Sequence, residues 1–214
     1  MLYTASPGAA EFSGKVSLSD QGKSVAAEEY ADVVVYFVPA KPVSDLAPLS
    51  GPVEMHMENK TFVPRVLPVT VGTEVKFANI DPILHNAFST STNNAFDLGF
   101  YGGGEAHSHQ FADAGLVRVY CNVHHSMVAY VLVLNTPHFT GVSASGEFTL
   151  RDLPEAVGEL YVWHPRADVV RNTLDFAQAG LPKGDYKLDF TQRRIPTHLN
   201  KEGKSYRKPR ERSY

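Results

Sequence analysis

Cysteine is almost absent from this chain: Cys121 is the only one in 214 residues. No internal disulfide can form, and a metal centre built on two thiolates is excluded. Long apolar runs are missing too, so the sequence contains no candidate for a membrane-spanning helix, which needs about 18 consecutive apolar residues. There is no excess of positive charge. A formal net charge of -3 and a pI near 6.3 argue against nucleic-acid binding by the molecule as a whole. The start, "MLYTASPGAAEFSGKV", has neither a basic region nor an apolar stretch of the kind found in signal peptides. The expectation is a cytosolic protein or a mature form whose leader has been removed. Helical periodicity is scarce, with one weak candidate around Arg171 to Ala179.

What is present reads as an all-β protein. Hydrophobic residues make up 43% and charged residues 20%, a composition that suits a folded chain. Short β-branched and aromatic runs alternate with Gly, Pro, Asn and Asp. "GKVSLS", "ADVVVYFVP", "GLVRVYC", "MVAYVLVLN" and "GDYKLDF" read as strands, and "SGEFTLRDLP" with "GELYVWHP" as a strand pair. "RVLPVTVGTEVKFANID" reads as two strands joined at Val71-Gly72-Thr73. Residues 53–137 hold most of the histidines and aromatic-rich strands, whereas 11–50 and 138–190 show strand pairs with small turns. This contrast suggests one β-sandwich inserted into another, with a plain tandem as the other arrangement. From Arg193 onward, eight Lys/Arg face two Glu. Residues 191–214 therefore form a basic tail, expected to be solvated or wrapped on the surface.

The chemistry concentrates in "YCNVHHSM", where Cys121, His124 and Met127 recur every three residues. A tight loop between strands can aim all three side chains into one pocket. His85, in "IDPILHNAF", adds a second imidazole from upstream. One thiolate, two imidazoles and a weak thioether are a donor set for copper: thiolate holds both oxidation states, and imidazole is a borderline donor suited to each. A nucleophilic role for Cys121 would need a general base and an oxyanion hole, and no such local signature surrounds it. His125 is close enough in sequence to compete with His124.

These residues resemble the cupredoxins, the small blue copper proteins. The Cys-x-x-His-x-x-Met loop is most similar to the amicyanin type. "FVPRVLPVTVGTEVKFANIDPILHNAFS" resembles the family's approach to its first histidine, and "FDLGFYGGGEAHSHQFADAGLVRVYCNVHHSMVAYVLVLNTP" resembles the stretch carrying the other ligands. The resemblance covers residues 53–137. It implies a Greek-key β-sandwich binding one copper ion per chain, with His85, Cys121 and His124 equatorial and Met127 axial. It further implies a backbone donor to the sulfur at Asn86, a transient redox partner protein, and the periplasm. Similar loops often carry proline where His125 stands, so His125 remains an alternative donor. The flanks "GKVSLSDQGKSVAAEEYADVVVYFVP" and "ASGEFTLRDLPEAVGELYVWHP" resemble halves of a carboxypeptidase-regulatory-like (transthyretin-like) β-sandwich, made discontinuous by the insertion. The whole resembles bacterial periplasmic plastocyanin-like or methylamine-utilisation proteins.

The remaining candidates have plainer readings. Met55 and Met57 share one face of a strand, as core residues do, with His56 opposite. His107 and His109, two apart, form a surface pair in a Gly-rich region. Trp163 reads as core. The functional expectation is a one-electron carrier without catalytic activity. Its alternatives are a copper-delivery protein, which the extra His and Met residues would serve, and a structural β-sandwich protein.

Overall fold

The computed structural model describes residues 10–178, 183–195 and 198–206. In chain order the strands begin with β1 (Ala10–Asp20), β2 (Lys23–Ser24) and, after a 3-10 turn at Ala27–Asp32, β3 (Val34–Pro39). Next come β4 (Val53–Glu58), β5 (Thr61–Val63), β6 (Val66–Thr70), β7 (Glu74–Asn79) and β8 (His85–Ser89). They continue with β9 (Phe96–Tyr101), β10 (Ala106–Gln110), β11 (Gly115–Tyr120) and β12 (Val128–Leu134). The chain then adds β13 (Phe139–Thr140), β14 (Glu147–Leu153), β15 (Val157–Trp163), β16 (Val170–Asp175) and β17 (Gly184–Asp189). Contacts divide it into two compact units, Met1–Ala47 with Leu134–Ile195 and Pro48–Val133 with Pro196–Tyr214.

The unit built from Met1–Ala47 and Leu134–Ile195 has two sheets. One runs β14-β1-β17, with β2 on β1, and the other β13-β3-β15-β16. Period-2 alternation sends Phe12, Val16, Leu18, Phe148, Leu150, Tyr186 and Leu188 inward from the first sheet. Val35, Phe37, Leu160 and Val162 meet them from the second. β1 and β17 lie parallel with Gly14 opposite Gly184. A Cβ on Gly14 would come within 2.3 Å of the Gly184 carbonyl oxygen and 2.7 Å of the Phe148 ring, so the position requires glycine.

Three expectations are corrected in this unit. β14 and β15 do not pair: β14 joins β1, whereas β15 joins β3 and β16, so the connection at Pro154–Ala156 crosses between sheets. The helix expected around Arg171 is β16, which pairs along its whole length with β15 from Val170 to Asp175. Tertiary pairing overrides weak local propensity there. Trp163 is half-buried and outside the core cluster, because the inward phase of β15 falls on Leu160 and Val162.

The second unit also has two sheets, ordered β10-β7-β4-β5 and β6-β12-β11-β8-β9. Met55, Met57, Val75 and Phe77 face Val117, Val119, Ala129, Val131 and Val133 across a single core. β4 runs parallel to β7 and antiparallel to β5. β12 lies inside its sheet and is buried along nearly its whole length, which explains its unbroken apolar run "AYVLVL". β11 and β12 form an antiparallel hairpin in register from Gly115↔Val133 to Tyr120↔Val128. Everything between Tyr120 and Val128 is therefore a single loop at one end of the sheet. β8 reaches the same end, with Phe88 opposite Tyr120.

Candidate metal centre

The loop closing the β11–β12 hairpin carries Cys121, His124 and Met127. It is braced internally: Met127 N–H donates to the His124 carbonyl at 3.0 Å, and Cys121 N–H reaches the Met127 carbonyl at 3.4 Å. Cys121 and His85 are fully buried, and His124 keeps a partly exposed edge. The three donor atoms converge. Cys121 Sγ lies 3.7 Å from His85 Nδ1 and 3.8 Å from His124 Nδ1, and the two nitrogens are 3.2 Å apart. A point in their plane equidistant from all three lies about 2.1 Å from each, close to metal–imidazole and metal–thiolate bond lengths. The triangle thus fits one ion without rearrangement, and its His2Cys composition is that of a trigonal copper site.

The tautomer of His85 follows from its other nitrogen. Nε2 lies 2.7 Å from Asp81 Oδ2. Burial would raise the Asp81 carboxyl, but hydrogen bonds from Lys60 N–H, His85 and Asn59 N–H outweigh it and hold the group below its ordinary value. An ionised carboxylate only accepts, so Nε2 carries the proton and Nδ1 presents its lone pair to the pocket. Asn59 and Lys60, both at positive φ, form the tight turn between β4 and β5, and their N–H groups donate to Asp81 at 2.7 and 2.9 Å. Asp81 therefore ties this turn to His85. A Cβ on Gly103 would come within 2.5 Å of the Asp81 carbonyl oxygen, so glycine permits the loop after β9 to close against this segment. Burial is the largest cause lowering the His124 pKa, favouring a neutral imidazole able to ligate.

A ring of hydrogen bonds surrounds the residues next to the donors. Asn86 Nδ2 donates to Asp97 Oδ1 at 2.7 Å, and Asn122 N–H donates to Asn86 Oδ1 at 3.2 Å. Lys201 closes the ring: its N–H donates to Asn122 Oδ1 at 2.9 Å and its Nζ to Asp97 Oδ2 at 2.6 Å. The resemblance assigns Asn86 a backbone role toward the sulfur; the contacts described here run through its side chain. Tyr206 Oη donates to the carbonyl of Cys121 at 2.8 Å. His198 stacks on Tyr120, with ring centroids 4.3 Å apart.

The other candidates sort clearly. His125 is exposed, with its ring 5.9 Å from Tyr206, and the converging nitrogen belongs to His124. Met127 is 1% exposed and shares the core cluster with Cys121. Met55 and Met57 are core, and His56 lies 3.6 Å from Glu54. His107 and His109 stack separately on Tyr101 and Phe96, each at 4.3 Å. Among the described residues, Glu29, Asp32 and His164 also bring ligand atoms together. There Arg166 N–H donates to His164 Nδ1 at 3.1 Å, which leaves the ring proton on Nε2, and the Arg166 guanidinium binds Glu29 at 2.8 Å. A protonated nitrogen and a resident cation make that cluster a hydrogen-bonded network, not a metal site.

Asp81, Asp97, His198, Lys201 and Tyr206 escape sequence reasoning. Asp81 precedes His85 by four residues in an irregular loop, where spacing carries no directional meaning. The other contacts exist only through tertiary packing. The basic tail is wrapped on the surface over residues 198–206; the part from 207 onward lies outside the described residues.

No family model matches the chain, and no curated protein matches it either. Solved structures do. A purple cupredoxin from Nitrosopumilus maritimus is 24% identical, with a TM-score of 0.35, over 38% of this chain and 99% of its own. A P52G mutant of amicyanin in its reduced Cu(I) form is 21% identical, with a TM-score of 0.38, over 47% of this chain and 98% of its own. A copper-containing nitrite reductase from Thermus scotoductus is 29% identical, with a TM-score of 0.37, over 44% of this chain but 25% of its own.

Proposed function

We propose that this protein is a one-electron carrier holding a single copper ion between His85, Cys121 and His124, with Met127 as a weak axial donor. The observation that carries the reading is the buried donor triangle, whose sides match one ion bound in plane. Copper supplies a one-electron couple, Cu(I)/Cu(II). The protein's own part is to keep donor positions nearly constant. Cys121 and His124 share one braced hairpin loop, while His85 is held through Asp81 from the opposite sheet of the same unit. Little should move when the charge of the site changes, which keeps transfer fast. The partly exposed edge of His124 offers the exit. Leu84 and Val123, next in sequence to His85 and His124, are 59% and 42% exposed. They suit a small, transient contact with a redox partner protein. The periplasm is the proposed location. The flanking sandwich, similar to carboxypeptidase-regulatory-like modules, is proposed as a non-catalytic accessory.

Copper delivery is the weaker reading, because Met55 and Met57 are packed in the core and His107 and His109 are engaged with aromatic rings. The test is titration of the metal-free chain with Cu(II). The expected result is a 1:1 complex with an intense visible thiolate-to-copper band, absent in Cys121→Ser while the far-ultraviolet spectrum is unchanged. A colourless complex, more than one ion per chain, or a band that survives the substitution would overturn the carrier reading. Zinc tolerates the same donors, so metal content is measured alongside colour.

A further inference from the structure

The segment 198–206 lies more than 70 residues beyond the last donor in sequence, yet it touches the neighbours of the donors from both sides. It grips the β11 end through a stack, His198 on Tyr120 at 4.3 Å and 20°. His198 also meets Phe88 edge-on at 6.0 Å. It grips the loop through hydrogen bonds, in which Tyr206 holds the carbonyl of Cys121 and Lys201 holds Asn122. Through Asp97, Lys201 reaches Asn86, the residue after His85. Two independent sets of contacts, aromatic and polar, therefore fix the same segment.

The Cys121 carbonyl explains why this matters. β11 ends at Tyr120, so the 121–122 peptide lies outside the regular ladder. Tyr206 supplies a donor to its carbonyl, and Asn86 accepts from its N–H at Asn122. With both ends of one peptide held, the Cα–Cβ direction of Cys121 is set relative to His85. Release of either end lets the peptide rotate and swings Sγ away from the two imidazoles.

We infer that residues 198–206 form a third wall of the metal centre, in which Tyr206 and Lys201 are positioning residues that hold the Cys121 peptide and the ligand loop. The inference rests on the copper reading for its function and on the contacts above for its structure. The segment acts on the donors from outside and supplies none of them. A passively adsorbed basic tail would leave the loop's behaviour unchanged when its contacts are removed.

The full-length chain is compared with Tyr206→Phe, which removes only one hydroxyl, and Lys201→Met, which keeps the backbone N–H bond to Asn122 but removes the ammonium that reaches Asn86 through Asp97. Two readouts are taken: amide hydrogen exchange of Asn122–Met127 in the metal-free protein, and the rate at which the Cu(II)-loaded protein loses metal to excess chelator. Both variants are expected to keep the parent's thermal midpoint. Loop exchange should quicken about tenfold, and copper release about 10–100-fold, the range typical when support behind a ligand is lost. The position of the thiolate band should shift in Tyr206→Phe. Exchange and release within about twofold of the parent in both variants would overturn the inference. If the parent itself binds no Cu(II), the copper reading fails, and exchange in the metal-free protein still decides whether the segment holds the loop.

Discussion

At the scale of single residues, Asp81 does more than its position in an irregular loop suggests. Its carboxylate receives His85 Nε2 and two backbone N–H groups from the Asn59-Lys60 turn. An asparagine there would turn an NH2 group toward one of those N–H donors and remove a negative charge close to the proposed copper site. Losing that charge destabilises the more positive Cu(II) state more than Cu(I). Asp81→Asn should therefore raise the reduction potential and weaken metal binding by about 10–100-fold, as read by voltammetry and chelator competition. An unchanged potential would reduce Asp81 to a turn-stabilising residue. The grouping of His85, Cys121 and His124 is legible in the sequence, and the residues that brace them are not. Cys121 and His124 sit in a short loop between two strands of unmistakable pattern, and His85 stands out by resemblance. Asp81, Lys201 and Tyr206 matter only through what they touch after folding, and a carboxylate or a tyrosine in a polar stretch is no signal in itself.

An element is legible in the sequence where a strand's own residues determine its state, and not where partner choice does. The β11–β12 hairpin announces itself through its flanking apolar runs. β16 does not: "VRNTLD" has mixed propensity and becomes a strand because β15 offers it a complete ladder. The sequence suggests that β14 and β15 pair because adjacent strands with a short connection normally do, whereas here the connection changes sheets. Close approach between elements gives a sharp test. A Cβ at Gly14 would collide with the backbone of β17 and the ring of Phe148. Neither strand can yield without breaking register, so Gly14→Ala should cost about 1–3 kcal/mol, the usual penalty of overpacking. Chemical denaturation would measure it, and a cost near zero would mean that β1 and β17 are more loosely paired than described.

For the whole molecule, histidines set the response to acid. Burial lowers the pKa of His109, His138 and His198; for His138 the Asp152 charge partly offsets it, and for His198 nearby backbone hydrogen bonds do. The unfolded chain binds protons at these groups near pH 6.5, while the folded form resists them until the pH is lower. The unfolded state thus holds more protons in that window, and stability falls as pH drops below about 6.5, down to the lowered folded values. The urea midpoint of the metal-free protein should be lower at about pH 5.5 than at about pH 7.5, and His138→Gln should lessen the drop. A midpoint that rises on acidification would contradict this picture.

The parallel pairing of β1 with β17, which sets Gly14 beside Gly184, has a consequence for how the chain is made. The opening strand waits through some 170 residues of synthesis for its neighbour. A ribosome that stalls after β14 and before Gly184 leaves β1 with one flank of unsatisfied amides and carbonyls, an invitation to foreign strands. Only a product translated past β17 can shield that flank of β1.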